Sequence, residues 1–297
     1  MNFNNVISII IGDKQVKNIM FSDGNIVWES KEIENDDKEV TPLYIENVGD
    51  SDGEFQLTKD GSPTYKPNLI YRIGDNGEWF EYDIASLPSI TVPSKSKIYF
   101  KGDNTTGFNT YYEGGYQFTF SNPFNIGGYI TSLISTTDFN TITVIPSYSF
   151  RKLFSYQSNL LDAKDLITDN IINVGYEGFY YCFSNCRALN TAPTFENLTS
   201  VSSYAFKQCF LNCSSLKTPP NFNNLTSIGS YVFEQCFYFC TSLKVIYAPN
   251  ITTWDESDFF NWVYGITSTG IMYKPKGIYI PTDSASGVPT NWTTVDY

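Results

Sequence analysis

The stretch Cys209-Phe-Leu-Asn-Cys-Ser-Ser-Leu216 decides the fold, because the chain contains three versions of it, at 182–189, 209–216 and 236–243. The first cysteines of the copies are Cys182, Cys209 and Cys236, and the second are Cys186, Cys213 and Cys240. Both sets keep an interval of 27 residues, and together they are all the cysteines of the chain. A fixed interval of this length is typical of repeat proteins, in which each unit buries its apolar face against the next.

The similarity extends beyond the cysteines. The other matching positions are Phe179, Phe206 and Phe233; Phe183, Phe210 and Phe237; and Leu189, Leu216 and Leu243. Each copy begins with Val174, Val201 or Ile228, and a degenerate earlier copy begins at Ile145, with Leu153 and Gln157 in the cysteine positions. A later half-copy contains Phe259-Phe260 and Trp262. We therefore expect about four coils with atypical ends that cap the stack.

Within one coil the apolar spacing predicts a helix followed by a strand. Phe206, Cys209, Phe210 and Cys213 stand at i, i+3, i+4 and i+7, which is one face of a helix. Leu216–Thr218 reads as a short strand that ends at Pro219-Pro220. Stacked coils of this kind would form an α/β leucine-rich-repeat solenoid.

Four roles are open for the cysteines: packing, disulfide formation, zinc binding and catalysis. Buried packing is favoured, because free cysteine is among the most buried residue types and leucine replaces it in the early copy. Three cysteines in a column would leave one over after pairing, and zinc ligands usually lie on loops. A catalytic thiol would lack a histidine to activate it, since the chain has none.

Composition excludes several classes of function. The chain carries 19 basic and 31 acidic residues, for a net charge of −12, so binding to nucleic acid or to an anionic membrane is not expected. The lack of histidine removes the commonest general base and metal ligand. The clustered carboxylates of Asp255, Glu256 and Asp258 are placed at a predicted helix start, where acidic residues interact well with the dipole. We expect neither an enzyme nor a cofactor or metal site.

Four segments precede or form the repeats. Residues 1–30 read as a small β module with strands at Val6–Ile11, Val16–Phe21 and Asn25–Trp28, and 31–41 as an acidic linker. Residues 42–133 alternate short apolar runs with turns and predict a β-sandwich, with strands at 42–45, 69–73, 79–82, 90–92, 97–100 and 116–120. Residues 134–297 are the repeat domain with its C-terminal cap.

The repeat pattern Phe-x-x-Cys-Phe-x-x-Cys-x-Ser-Leu-x-x-x-Pro resembles the BspA-type leucine-rich repeat of gut bacteria and their phages. The closing segments 262–274 and 286–293 are similar to the ends of such proteins, and Gly77-Glu78-Trp79 with 99–104 to a β-sandwich that often precedes the repeats. The resemblance implies adhesion or recognition at a cell surface.

Residues 1–30 resemble a short module at the start of phage tail-associated proteins, through 11–13, 16–19 and 26–28. Here Met20-Phe21-Ser22-Asp23 stands where Tyr-Leu-Gly is more common. No basic residue precedes the apolar run 6–11 and no stretch approaches the ~20 apolar residues of a membrane span, so neither a signal peptide nor membrane insertion is expected. We therefore expect a virion protein made in the host cytoplasm.

The leading hypothesis is a tail or head appendage that contacts other virion proteins through residues 1–30 and a host surface glycan or protein through its repeats. Asn190, Lys217 and Lys244 recur at one position of successive coils and are the candidate ligand-binding residues, with the stretches Tyr180-Tyr181 and Tyr238-Phe239 beside them. A bacterial cell-surface adhesin and a purely structural decoration protein are the alternatives. The sequence leaves formation of a homo-oligomer open.

Overall fold

The structure is a computed structural model that describes residues 40–110, 114–282 and 285–297, and four short strands before residue 28. The chain forms two compact units, Met1–Thr41 and Pro42–Tyr297.

The first unit contains two antiparallel strand pairs. Strand β1 (Ile9–Ile11) pairs with β2 (Lys14–Val16), and β3 (Met20–Ser22) pairs with β4 (Asn25–Val27). Of the predicted strand over Val16–Phe21, Val16 lies in β2, and Met20 and Phe21 lie in β3. Residues 1–8, 12–13, 17–19, 23–24 and 28–39, which include most of the predicted linker, lie outside the described residues.

The second unit begins with eight described strands that build two facing sheets. They are β5 (Tyr44–Asn47), β6 (Gly53–Gly61), β7 (Ile70–Ile73), β8 (Phe80–Glu81), β9 (Ile90–Val92), β10 (Lys97–Lys101), β11 (Gly114–Phe120) and β12 (Phe124–Tyr129). Along β10 the side chains alternate, so Ile98 and Phe100 are fully buried while Lys97 and Lys101 lie on the outer face. Phe100 meets Phe55 and Phe118 of the facing sheet at ring-centroid distances of 4.6 and 4.8 Å.

The remaining elements follow β12 in the chain. The two described 3-10 helices are Ile130–Leu133 and Phe139–Thr141. The strands are β13 (Val144–Ile145), β14 (Leu160–Ile167), β15 (Asn173–Val174), β16 (Ser200–Val201), β17 (Ser227–Ile228), β18 (Val245–Tyr247), β19 (Gly270–Lys274) and β20 (Trp292–Asp296). Successive copies stack in parallel in the order β13-β15-β16-β17, and β18-β19-β20 forms a second parallel sheet at the C-terminal end.

Strand β14 joins the two halves of the unit. The larger sheet of the sandwich has the order β14-β12-β5-β10-β7-β8, and the smaller has the order β11-β6-β9. Asp162 of β14 also bridges Thr191, which in turn bridges Thr218 of the next copy. Hydrogen-bonded backbone therefore runs from the sandwich into the repeats. The domain boundary expected between residues 133 and 134 stays a prediction.

The helix predicted over Phe206–Cys213 is wrong, and no α-helix occurs in the described parts of the chain. The segment is a turn ribbon, which we define as a run of turns with a left-handed residue at every fourth position. In this copy those residues are Tyr204, Gln208 and Asn212, with φ of 61°, 56° and 59°. A four-residue step keeps Phe206 and Phe210 on one side of the ribbon, which is why the apolar spacing imitates that of a helix.

The hydrogen bonds of the ribbon explain its conformation. The amide of Cys209 donates to Phe206 O within the same copy at 3.1 Å, whereas the amide of Phe210 donates to Cys236 O of the next copy at 2.9 Å. Alternate amides thus close turns and join copies. A helix would direct every amide back into its own turn, and the copies would then lose these links.

Candidate recognition surface on the repeats

The six cysteines form two buried columns inside the repeats. All six are free thiols with no exposed surface. In the second column the sulfur donates to a carbonyl of the preceding copy at 3.1 Å, and the pairs are Cys186 with Phe154, Cys213 with Phe183, and Cys240 with Phe210. Burial raises the pKa of each thiol, so the neutral form is retained in the folded protein.

Phenylalanine columns beside the cysteines make the repeats rigid. The rings of Phe179 and Phe206 stack with centroids 5.4 Å apart, and those of Phe183 and Phe210 with centroids 5.3 Å apart. Offset ring stacking of this kind adds to the burial energy and fixes the separation of copies. The surface above these columns is therefore held at a constant spacing.

Two of the three predicted ligand residues are accessible. Lys217 and Lys244 are exposed and make no ion pair among the described residues, while Asn190 is half-buried. The amide of Lys217 donates to Asn190 O at 2.9 Å, and Asn190 Nδ2 donates to Thr191 Oγ1 at 3.3 Å. Asn190 and Lys217 are thus neighbours, whereas no backbone hydrogen bond in the described chain joins Lys244 to either.

A row of tyrosines runs across the copies on the surface. Tyr148, Tyr176, Tyr204 and Tyr231, here called the tyrosine row, lie in contact with successive ring centroids 5.5, 5.5 and 5.2 Å apart. Tyr176 is 37% exposed and Tyr231 is 39% exposed. The row was missed from the sequence because its intervals vary between 27 and 28 residues, although tyrosine recurrence alone could have revealed it.

Of the two aromatic stretches singled out from the sequence, Tyr180-Tyr181 is the less available, whereas Phe239 of the other is 41% exposed. Tyr180 and Tyr181 are half-buried and contact each other edge to face at 4.4 Å. The Arg151 guanidinium lies over the Tyr180 ring at 5.0 Å, and burial raises the pKa of Tyr180. Tyr180 and Tyr181 therefore contribute mainly to packing.

Ion pairs flank the tyrosine row. Arg151 Nε lies 2.9 Å from Glu177 Oε2, and Lys207 Nζ lies 2.8 Å from Glu234 Oε2. The Lys207 ammonium also lies 5.2 Å from the centre of the Tyr204 ring. These contacts hold the tyrosines in place between paired charges.

An open cleft lies at the C-terminal end of the row. It is lined by Tyr231, Glu234, Glu256, Ser257, Phe260, Ala285 and Ser286. Phe260 is 45% exposed and the Glu256 side chain is exposed, so the cleft offers aromatic faces next to carboxylates.

The carboxylate cluster predicted at a helix start lies in turns. Asp255 accepts from the Ser257 hydroxyl at 2.7 Å, which lowers the pKa of Asp255. Asp258 accepts from the Tyr231 amide at 2.8 Å, and burial raises its pKa. Both aspartates are thus used in local structure, whereas Glu256 faces the cleft.

Parallel stacking of copies at a regular interval defines a repeat protein. Residues 166–279 match the family model described as BspA type Leucine rich repeat region, in six copies. A search of curated proteins and a search of solved structures gave no significant match. The similarity therefore covers most of the repeat region and leaves residues 1–165 and 280–297 outside it.

Two further observations concern the described residues alone. They contain no group of three or more histidine, cysteine, aspartate or glutamate side chains arranged to hold a metal ion. They also contain no helix with the length and apolarity needed to cross a membrane.

Proposed function

We propose that the chain is a surface recognition or adhesion protein whose stacked repeats contact a polymer on a cell surface. The tyrosine row carries the proposal, because it presents partly exposed aromatic rings at the repeat spacing along one face. Aromatic residues are enriched at binding surfaces, and repeat stacks suit extended ligands. The similarity of residues 166–279 to BspA-type repeats supports the same class of function.

We further propose display on a phage particle, with residues 1–30 contacting other virion proteins. The support is the resemblance of residues 11–13, 16–19 and 26–28 to a phage tail module. The ligand would be a host glycan or protein, and no catalytic step is proposed. Display on a bacterial surface and a decoration without a ligand are the competing assignments.

The binding experiment uses fluorescently labelled full-length chain and a panel of intact bacteria. Saturable binding is expected, with at least tenfold weaker binding when Tyr176 and Tyr231 are both changed to serine. Tyr279→Ser is the matched control, because Tyr279 is 81% exposed and belongs to no described ring contact. The lysine variants Lys217→Glu and Lys244→Glu test the residues predicted from the sequence.

Two outcomes would decide against the proposal. Lack of binding to every strain would favour a decoration protein. Equal binding by the double tyrosine variant and by Tyr279→Ser would place the binding surface elsewhere. Deletion of residues 1–30 should abolish attachment to phage particles while leaving cell binding intact.

A further inference from the structure

Arg72 and Lys101 lie on the outer face of the larger sandwich sheet, and neither has an acidic partner among the described residues. Arg72 of β7 lies opposite Tyr99 of β10, and Lys101 follows Tyr99 two residues later on the same face. Among the described residues neither side chain has a carboxylate oxygen within 4.0 Å.

Aromatic rings hold both cations. The Arg72 guanidinium lies 4.7 Å from the centre of the Tyr99 ring and 5.2 Å from that of Trp79. The Lys101 ammonium lies 5.1 Å from the centre of the Trp79 ring and 5.4 Å from that of Phe139. We call these five residues the cation–aromatic cluster. Trp79 is the ring that both cations share.

The two like charges repel each other. Burial lowers the pKa of Lys101, and the nearby positive charge of Arg72 lowers it further. Arg72 Nε is buried and has no hydrogen-bond partner in the described chain. Cation–π attraction explains where the cations lie, but it leaves the Nε–H donor of Arg72 without an acceptor in the described chain.

The acidic groups close by in the chain do not form ion pairs with Arg72 or Lys101 in the described structure. Asp75 accepts a hydrogen bond from the Tyr99 hydroxyl and makes no ion pair with Arg72. Glu78 and Glu81 are exposed neighbours in the chain, and neither pairs with Arg72 or Lys101. An anion bound at this face would therefore offset the like charges of Arg72 and Lys101 and accept hydrogen bonds from the guanidinium.

We propose that Arg72 and Lys101 bind the anionic group, a carboxylate or a sulfate, of an acidic saccharide. The choice of a saccharide rests on the proposed recognition of a cell surface. The planar guanidinium matches the two oxygens of the anion, and the ammonium supplies a second charge. The sandwich thus contributes an anion-selective site in addition to the tyrosine row.

The test is calorimetric titration of the full-length chain with N-acetylneuraminic acid, a sulfated disaccharide, the neutral sugar N-acetylglucosamine and inorganic sulfate. Acidic saccharides should bind and the neutral sugar should not. Arg72→Gln and Lys101→Gln should each weaken the binding at least tenfold. Lys97→Gln is the matched control, because Lys97 lies on the same strand and face over Tyr44, at 4.2 Å, outside the cluster.

Three results would overturn the site. These are no binding of either acidic saccharide, unchanged binding by Arg72→Gln and Lys101→Gln, and inorganic sulfate binding as tightly as the saccharides. The thermal midpoint of each ligand-free variant, measured beside the titration, shows that the variant is folded. Cell binding without saccharide binding refutes this site alone, whereas saccharide binding without cell binding refutes the proposed function alone.

Discussion

At the residue scale, the two cysteine columns are chemically different although the sequence makes them look alike. Cys186, Cys213 and Cys240 donate their thiol hydrogen to a backbone carbonyl, and the first-column cysteines make no such bond among the described residues. The second column therefore satisfies a carbonyl acceptor with its thiol hydrogen, and the first column does not. Serine, which differs from cysteine by one atom, distinguishes the two.

We predict that Cys209→Ser destabilises the protein more than Cys213→Ser. A serine at 213 can donate to Phe183 O, whereas a serine at 209 buries a hydroxyl without an acceptor. An unpaired buried hydroxyl costs roughly 1–3 kcal/mol, so the difference should lie in that range. Urea unfolding followed by circular dichroism measures it. Equal losses would mean that the bond to Phe183 O contributes nothing to stability.

We predict that the free energy of unfolding decreases as the pH rises above the ordinary thiol pKa of 9.0. Burial raises the folded-state pKa of all six thiols, so above this pH the unfolded chain loses protons that the folded chain keeps. In this range each thiol lowers the free energy of unfolding by about 1.4 kcal/mol per pH unit, until the pH reaches the pKa of that thiol in the folded protein. Below pH 9.0 the contribution is constant.

The measurement is the urea midpoint at about pH 7 and at about pH 9.5. At the higher pH the thiols of the unfolded chain ionise substantially and those of the folded chain do not. Cys213→Ala, with one thiol fewer, should show a smaller decrease between the two pH values. A midpoint that is the same at both pH values would indicate thiols that ionise equally in the two states.

At the element scale, the turn ribbon shows what an apolar pattern can and cannot specify. The alternation of residues in the sandwich correctly indicated β7, β9 and β10 to within a few residues. The ribbon repeats every four residues and a helix every 3.6 residues. Over two turns the two conformations therefore direct the same side chains inward. Spacing alone therefore identified the buried face and not the backbone conformation.

Two sandwich strands were missed for different reasons. Strand β6 has alternating buried residues, among them Phe55 and Leu57. Turn-forming residues on both sides of it made the segment resemble a loop. Strand β12 contains Gly127 and Gly128, which weaken a strand signal. A side chain at Gly127 would collide with the Tyr44 ring, so tertiary packing requires this glycine. Nor could spacing reveal the cation–aromatic cluster, whose members come from separate strands and loops.

We predict that Asn212→Gly is more stable than Asn212→Val by about 1–2 kcal/mol, the usual cost of a left-handed backbone for a residue with a Cβ. Asn212 has a φ of 59°, and its Nδ2 donates to Asn185 Oδ1 at 3.0 Å. Both variants remove that bond, so their difference isolates the backbone term. In a helix the order would be reversed, because glycine is the poorer helix former. Urea unfolding of the two variants therefore discriminates the ribbon from the helix.

At the scale of the whole molecule, the first repeat copy completes the sandwich. The amide of Phe118 donates to Leu153 O at 2.7 Å, and the amide of Phe120 donates to Gln157 Oε1 at 3.1 Å. Leu153 and Gln157 hold the positions of the two cysteines in later copies. The early copy thus departs from cysteine at position 157 because its neighbour is a β-strand and no preceding repeat exists to receive a thiol.

Across the same contact, Lys152 Nζ lies 2.5 Å from Asp60 Oδ2, and the ring centroids of Phe118 and Phe154 are 5.7 Å apart. Strand β14 adds parallel pairing along β12. Removal of the repeats would expose the apolar residues of this contact and one edge of β12. We therefore predict that the fragment 42–133 does not fold cooperatively, although the sequence suggested it as a domain.

The measurement compares urea unfolding of fragments 42–133 and 42–297 by near-ultraviolet circular dichroism and by tryptophan fluorescence. The longer fragment should give one transition with both probes, because sandwich and repeats share hydrogen-bonded backbone and a continuous apolar core. The shorter should lack a cooperative transition. Gln157→Ala in the longer fragment leaves the Phe120 amide without its side-chain acceptor, so it should lower the shared midpoint for both probes together. A midpoint lowered for only one probe would show that the sandwich and the repeats unfold independently, as the boundary between residues 133 and 134 requires.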